Sequence, residues 1–152
     1  MRLTSAAFEE GGLLPPQYTC DGAGASPPLA WEDVPDGTQS FALICEDPDA
    51  PRGTFTHWVL FNLSSGSREL GEGVPTDEVL STGARQGTNS FGDVGYGGAC
   101  PPPGDREHRY VFKLYALDSS LGLEPGAGKE QLLDAIRGHV LAEAQLTGKY
   151  KR

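Results

Sequence analysis

Glycine and proline interrupt this chain so often that few long regular elements can form. Its 152 residues include 21 Gly and 12 Pro. Glycine is conformationally free and proline lacks an N–H group, so both residues tend to end helices and strands. This composition favours short strands joined by turns. The length fits one domain, which we place over residues 1–152.

Three apolar runs have the length of buried strands. They span residues 40–46, 57–63 and 109–117. Both faces of the third run are largely apolar, which is typical of a strand covered on both sides. Weaker strand candidates lie at residues 3–8 and 29–31. We therefore expect a mainly β fold.

One segment, Lys129 to Leu146, has a helical pattern. Apolar residues recur within it at spacings of three and four, namely Leu133, Ile136, Val140 and Ala144. Gly148 follows as a residue that commonly ends helices. The spacing predicts a helix over residues 129–146.

The charge balance restricts the partners of this chain. Acidic residues outnumber basic ones by 21 to 12, which gives a formal net charge of −9 at pH 7. Such a chain is repelled by nucleic acids and by anionic membrane surfaces. No apolar run reaches the ~18 residues that a membrane span needs, and Glu9 and Glu10 interrupt the region where a signal peptide is most apolar. We predict a cytoplasmic protein that is not integral to a membrane and does not bind nucleic acid.

The three cysteines leave one disulfide bond open. An odd number of cysteines does not suit a complete disulfide framework and is consistent with the cytoplasm. Cys20 and Cys100 lie in loops rich in glycine and proline, whereas Cys45 lies in an apolar run. If one pair forms, Cys20 with Cys100 is the favoured one.

Three carboxylates lie in the segment Glu46-Asp47-Pro48-Asp49-Ala50-Pro51, directly after the first apolar run. The two prolines stiffen this segment and extend the residues before them. Rigid carboxylates can orient a cation or a histidine, and they can also simply cap backbone N–H groups in a turn. His57 opens the next run, so Asp47 can lie beside its imidazole if the two strands are neighbours.

A long connection, residues 83–107, precedes the third apolar run and is rich in glycine. Loops of this length are usually functional or disordered. Successive glycine N–H groups can form a concavity that binds an anion, and a mobile surface loop is the alternative. His57 and His108 both begin strands, which permits two imidazoles at one end of a sheet. A zinc site made by these histidines and Asp47 is a further alternative.

The common catalytic motifs do not occur in this sequence. It contains no G-x-S-x-G, H-E-x-x-H, C-x-x-C or G-x-G-x-x-G pattern. The sequence therefore favours a binding protein over an enzyme.

The combined motifs resemble the phosphatidylethanolamine-binding protein family, in particular its bacterial and archaeal, Raf kinase inhibitor-like branch. The resemblance rests on the segments DPDAP, HW, GYGGACPPPG and HRY, and it covers nearly all of residues 2–150. It implies two antiparallel β-sheets of Greek-key topology, one or two small helices and an anion pocket at an end of the larger sheet. The family's ligand-binding residues correspond here to Asp47, Asp49, His57, Gly98, Pro101, Pro102, His108 and Tyr110.

The resemblance also implies a function. We expect a non-enzymatic protein, with no catalytic residues, metal or cofactor, that binds phosphate-type headgroups such as phosphoethanolamine. Inhibition of a kinase or a serine protease and formation of a homodimer are further expectations from the family. Two alternatives stay open, namely a module that docks phosphorylated or acidic protein segments and a hydrolase that uses His57 as a base and Asp47 to orient it.

Overall fold

A computed structural model describes all residues from 1 to 152. Nine strands and one α-helix follow one another along the chain, and α1 (Lys129–Ile136) lies between the last two strands. The strands are β1 (Arg2–Thr4), β2 (Gly12–Leu13), β3 (Leu29–Glu32), β4 (Ser40–Asp47), β5 (Phe55–Ser64), β6 (Glu69–Leu70), β7 (Arg85–Gln86), β8 (His108–Leu117) and β9 (Val140–Tyr150).

The strands form two sheets, as predicted. The smaller sheet has the order β1-β3-β6, and the larger one has the order β2-β9-β8-β4-β5-β7. Within the larger sheet, β8 returns to lie beside β4 after the antiparallel run β4-β5-β7, which is a Greek-key arrangement. One edge departs from the prediction, because β2 runs parallel to β9.

Apolar side chains fill the space on both faces of the larger sheet. The main cluster contains residues from both sheets, among them Trp31, Phe41 and Trp58. A second cluster lies between the larger sheet and α1 and includes Val59 and Leu132. The three long apolar runs predicted as strands correspond to β4, β5 and β8, which confirms those predictions.

The predicted helix over residues 129–146 is wrong in its second half. α1 ends at Ile136, the chain turns at Gly138 with a φ of 82°, and β9 then runs antiparallel to β8. Alternate residues of β9 are buried, namely Ala144, Leu146 and Gly148, and only Leu146 among them is large. Two small residues among the three buried positions make the alternation weak, so the spacing of apolar residues imitates a helix. Gly148 is therefore a buried strand residue and not a helix end.

A disulfide bond joins Cys20 to Cys100, with their Cα atoms 5.3 Å apart, and Cys45 is free and buried. The favoured pairing is thus confirmed. Disulfide bonds persist mainly in oxidising compartments and in hyperthermophiles, so the cysteines no longer support the predicted cytoplasmic location. No helix in the structure has the length and apolar character required to cross a membrane.

Candidate functional site

A cavity of about 190 Å³ opens at one end of the larger sheet. β4 is antiparallel to both β5 and β8, so its last residue, Asp47, lies beside the first residues of those two strands. This topology brings Asp47, His57 and His108 together, and the two imidazoles occupy the same end of the sheet as predicted.

Six of the eight predicted site residues line this cavity: Asp47, His57, Pro101, Pro102, His108 and Tyr110. Its other lining residues, which the sequence did not assign to the site, are Ala50, Pro51, Phe55, Phe91 and Cys100. Asp47, His57, His108 and Tyr110 are at most 3% exposed, whereas Phe91 is 47% exposed. The cavity therefore combines a buried polar floor with a mostly apolar wall.

A β-bulge aims His57 into the cavity. The register between β4 and β5 shifts by one between Cys45 and Glu46, which leaves His57 as an extra residue on β5. Without the bulge, strand alternation would point His57 to the same face as Val59, toward α1. The bulge turns it to the face of Trp58, between the two sheets.

Gly97 holds His57 through two hydrogen bonds. The His57 Nδ1–H donates to the Gly97 carbonyl at 2.7 Å, and the Gly97 N–H donates to the His57 carbonyl at 2.8 Å. A carbonyl only accepts, so Nδ1 carries the proton of the neutral ring and Nε2 keeps a lone pair. Burial lowers the pKa of His57, although the Gly97 carbonyl and the charge of Asp47 oppose that shift. His57 is therefore neutral near pH 7, with Nε2 free as an acceptor.

His108 lies between two carboxylates. Its Nδ1–H donates to Asp47 Oδ2 and its Nε2–H donates to Asp105 Oδ2, both at 2.7 Å. Burial opposes the charged ring, but the hydrogen bonds to Asp105 and Asp47 outweigh burial and raise the pKa of His108. Two accepting carboxylates require two N–H groups, so His108 is an imidazolium.

Asp47 lies near His57, as expected, and its charge favours the protonated ring of His57, but its hydrogen bonds go to other groups. Asp47 binds His108 through Oδ2, and its Oδ1 accepts the Asp49 N–H at 2.8 Å. The zinc alternative fails for a related reason, because both ring nitrogens of His108 already donate to carboxylates and neither is available to a metal.

The Tyr110 hydroxyl is buried at the cavity and makes no protein hydrogen bond of normal length. Burial, the nearby charge of Asp47 and a weak, long hydrogen bond to the Asp47 carboxylate raise the pKa of Tyr110, so the hydroxyl keeps its proton. A buried hydroxyl with no partner at all costs about 1–3 kcal/mol, and a ligand oxygen that accepts a hydrogen bond from Tyr110 would recover part of such a cost.

Asp49 and Gly98, which the family resemblance assigns to ligand binding, are not among the residues that line the cavity. Asp49 accepts three hydrogen bonds from Arg109, at 2.9 to 3.0 Å, and these hold the pKa of its carboxyl at about 2. Gly98 packs against the backbone of Thr19, where an added methyl group would lie 3.1 Å from the carbonyl carbon.

The sequence of this chain matches a known family and several known proteins. The family model for phosphatidylethanolamine-binding protein matches residues 4–151. A UPF0098 protein of Methanothermobacter thermautotrophicus is 53% identical over all of this chain and 99% of its own length, and one of Aquifex aeolicus is 52% identical over all of this chain and 89% of its own.

Solved structures show the same likeness. The crystal structure of YbcL from Escherichia coli matches with a TM-score of 0.93 and 34% identity, covering 99% of this chain and 98% of that one. A putative phosphatidylethanolamine-binding protein homologue from Chlamydia trachomatis matches with a TM-score of 0.90 and 45% identity, over 99% and 97%. Carboxypeptidase Y inhibitor, solved in complex with its cognate proteinase, shares the fold at a TM-score of 0.53 and 19% identity, over 93% and 76%.

Proposed function

Because the chain belongs to the phosphatidylethanolamine-binding protein family, we propose that its cavity binds the phosphate group of a small phosphorylated molecule without turnover. The observation that carries this proposal is that Tyr110, whose buried hydroxyl makes no protein hydrogen bond of normal length, lines the same cavity as His57, whose Nε2 is free. A phosphate group offers oxygens that accept from the hydroxyl, and its hydroxyl form can donate to the nitrogen.

The size of the cavity favours a headgroup over a larger ligand. Pockets for drug-sized molecules hold roughly 300–1,000 Å³, and this cavity holds about 190 Å³. The rings of Phe55 and Phe91 pack edge to face at the wall, with centroids 4.7 Å apart. Aromatic faces attract ammonium groups, so phosphoethanolamine and phosphocholine match both the polar floor and the aromatic wall.

The cavity suits one of the two alternative functions, docking of a phosphorylated protein segment, better than the other, hydrolysis. Docking of a phosphorylated protein segment would use the same cavity, with the exposed Phe91 at the wall as an apolar contact. Hydrolysis would need Asp47 to orient His57, but Asp47 binds His108 instead. We therefore propose binding without catalysis, with small headgroups preferred.

Calorimetric titration with phosphoethanolamine tests the proposal. Tyr110→Phe removes the hydroxyl alone and keeps the ring, so we expect about tenfold weaker binding from the loss of one hydrogen bond. Tyr115→Phe is the matched control, because Tyr115 lies on the same strand but packs in the cluster beneath α1. Absence of saturable binding in the folded wild type, or equal losses in both variants, would contradict the proposal.

A further inference from the structure

We propose that this cavity selects oxyanions that carry a proton, phosphate monoesters in particular, over sulfate esters and phosphodiesters, because His57 Nε2 presents a lone pair to the ligand. This inference rests on the proposed phosphate site and names the class of ligand that the site prefers.

The first step is that His57 has a fixed tautomer. Gly97 engages both the ring and the backbone carbonyl of His57. Rotating the ring to present Nδ1–H to a ligand would break the bond to Gly97 and leave a carbonyl without its donor, which costs about 1–3 kcal/mol. At neutral pH the ligand therefore meets an acceptor.

The second step is that the neighbours of His57 do not supply the missing proton. Both N–H groups of His108 are used by Asp47 and Asp105. Both Asp47 oxygens accept hydrogen bonds. Tyr110 can donate one hydrogen bond, and an oxygen of the bound oxyanion would accept it.

The surroundings of His57 also decide whether its ring can gain a proton from solvent. Phe55 from its own strand, Phe91 from the loop and Tyr110 from β8 pack against the imidazole, with ring centroids 4.9 to 5.5 Å away. The charge of Asp47 favours the protonated ring, while burial and the charge of His108 disfavour it, and the result is a lowered pKa for His57. Protonation of His57 therefore becomes easy only under acidic conditions.

The protonation of the ligand decides whether it can pair with His57 Nε2. A phosphate monoester has a second pKa of about 6, so near neutral pH part of it is a monoanion with a P–OH group. That hydroxyl donates to His57 Nε2 while another oxygen accepts from Tyr110. A sulfate ester or a phosphodiester has no such proton, so its oxygen would face the nitrogen lone pair. A site built to pair a ligand hydroxyl rejects analogues that lack it, because its own polar groups stay unpaired.

Such a site would distinguish the free headgroup from the same headgroup in a lipid by the number of ester bonds on the phosphate. Phosphoethanolamine is a monoester, and the same headgroup within a phospholipid is a diester. The inference predicts that the free, phosphorylated headgroup binds more tightly than the lipid-linked one.

The test compares phosphoethanolamine with 2-aminoethyl sulfate, which has the same ammonium and a tetrahedral anion but no proton to donate. Glycerophosphoethanolamine serves as the diester. Calorimetry at pH 6.5 is expected to show at least tenfold tighter binding of phosphoethanolamine than of either analogue. The preference is expected to shrink as the pH falls and His57 itself gains a proton.

Two variants separate the possible outcomes. His57→Gln supplies an amide N–H that does not titrate, so all three ligands are expected to bind within about threefold of one another. Tyr110→Phe weakens all three and keeps the preference. Equal affinities in the wild type, or a preference that survives in His57→Gln, would overturn the selectivity while leaving the phosphate site in place. Absence of binding by phosphoethanolamine itself would overturn the proposed function and the selectivity with it.

Discussion

Asp105 accepts a hydrogen bond from Nε2–H of His108 at 2.7 Å, on the ring edge opposite to Asp47. The buried imidazolium is thereby balanced by a carboxylate on each side. Asp105 is part of the reason that His108 keeps its charge, and it lies outside the set of residues that line the cavity.

Replacing Asp105 by Asn removes one of these charges, so we expect the pKa of His108 to fall. Because the folded pKa of His108 is raised above its ordinary value of 6.5, its contribution to stability is complete below pH 6.5 and is lost as the pH rises through the folded value. Asp105→Asn is expected to narrow the pH range over which the charged His108 stabilises the folded protein. Histidine resonances followed by NMR against pH measure the shift, with the exposed His139 as internal reference. An unchanged His108 titration would contradict this role.

Replacing Asp49 by Asn tests a structural role for a residue predicted to bind ligand. Its carboxylate holds the start of β8 through Arg109 and keeps its pKa at about 2. Asp49→Asn is expected to lower the free energy of unfolding by about 1–2 kcal/mol. The effect is no larger because Arg109, the partner of Asp49, is half exposed.

The folded pKa of Asp49 is lowered, so its stabilisation is present above the unfolded value near 3.8 and disappears as the pH falls through about 2. Urea unfolding is expected to show a clear loss of stability relative to the wild type at pH 7 and a much smaller loss at pH 2, where the Asp49 carboxyl is about half protonated. Asp36→Asn, at an exposed turn, is the control. A large loss of ligand affinity without loss of stability would instead place Asp49 in the binding site.

Gly97 is required where it stands. An added methyl group would lie 2.4 Å from a ring carbon of Phe91, whereas the same group on Gly122 meets nothing within 4 Å. We expect Gly97→Ala to displace Phe91 or the clamp on His57 and to weaken phosphoethanolamine binding several-fold, with Gly122→Ala neutral. Adding Phe91→Ala to Gly97→Ala opens the space again, and failure of that pair to restore the His57 tautomer would argue against the clash as the cause.

Much of this site can be predicted from the sequence because its residues adjoin strand ends. Asp47, His57 and His108 each lie at or next to the end of a long apolar run, and antiparallel pairing of those runs suffices to bring them together. The family resemblance adds Pro101 and Tyr110, which also line the cavity.

The partners of these residues could not be predicted in the same way. The bulge that reorients His57 depends on a register shift that strand periodicity does not encode. The bond from His108 to Asp105 depends on a tight turn that directly precedes it, which is closed by the Asp105 N–H donating to the Pro102 carbonyl. A regular strand pattern reveals neither feature, so it does not show that Asp47 forms its hydrogen bond with His108 and not with His57.

The strand β9 could not be predicted from the sequence for a similar reason. β9 buries Ala144 and Gly148 beside larger neighbours across the sheet, so its inward face has little hydrophobic contrast. Pairing with β8 along its length compensates for that weak pattern, and such long-range pairing is not visible in local spacing.

Nitrogen-15 NMR of the histidine rings tests the central claim most directly. In the free protein, His57 is expected to show a protonated Nδ1 and an unprotonated Nε2 at pH 7, while His108 shows two protonated nitrogens. Phosphoethanolamine is expected to shift the His57 Nε2 resonance in a saturable manner and to leave His139 unchanged. A His57 Nε2 resonance that does not respond to saturating phosphoethanolamine would contradict the claim that this cavity binds the phosphate group.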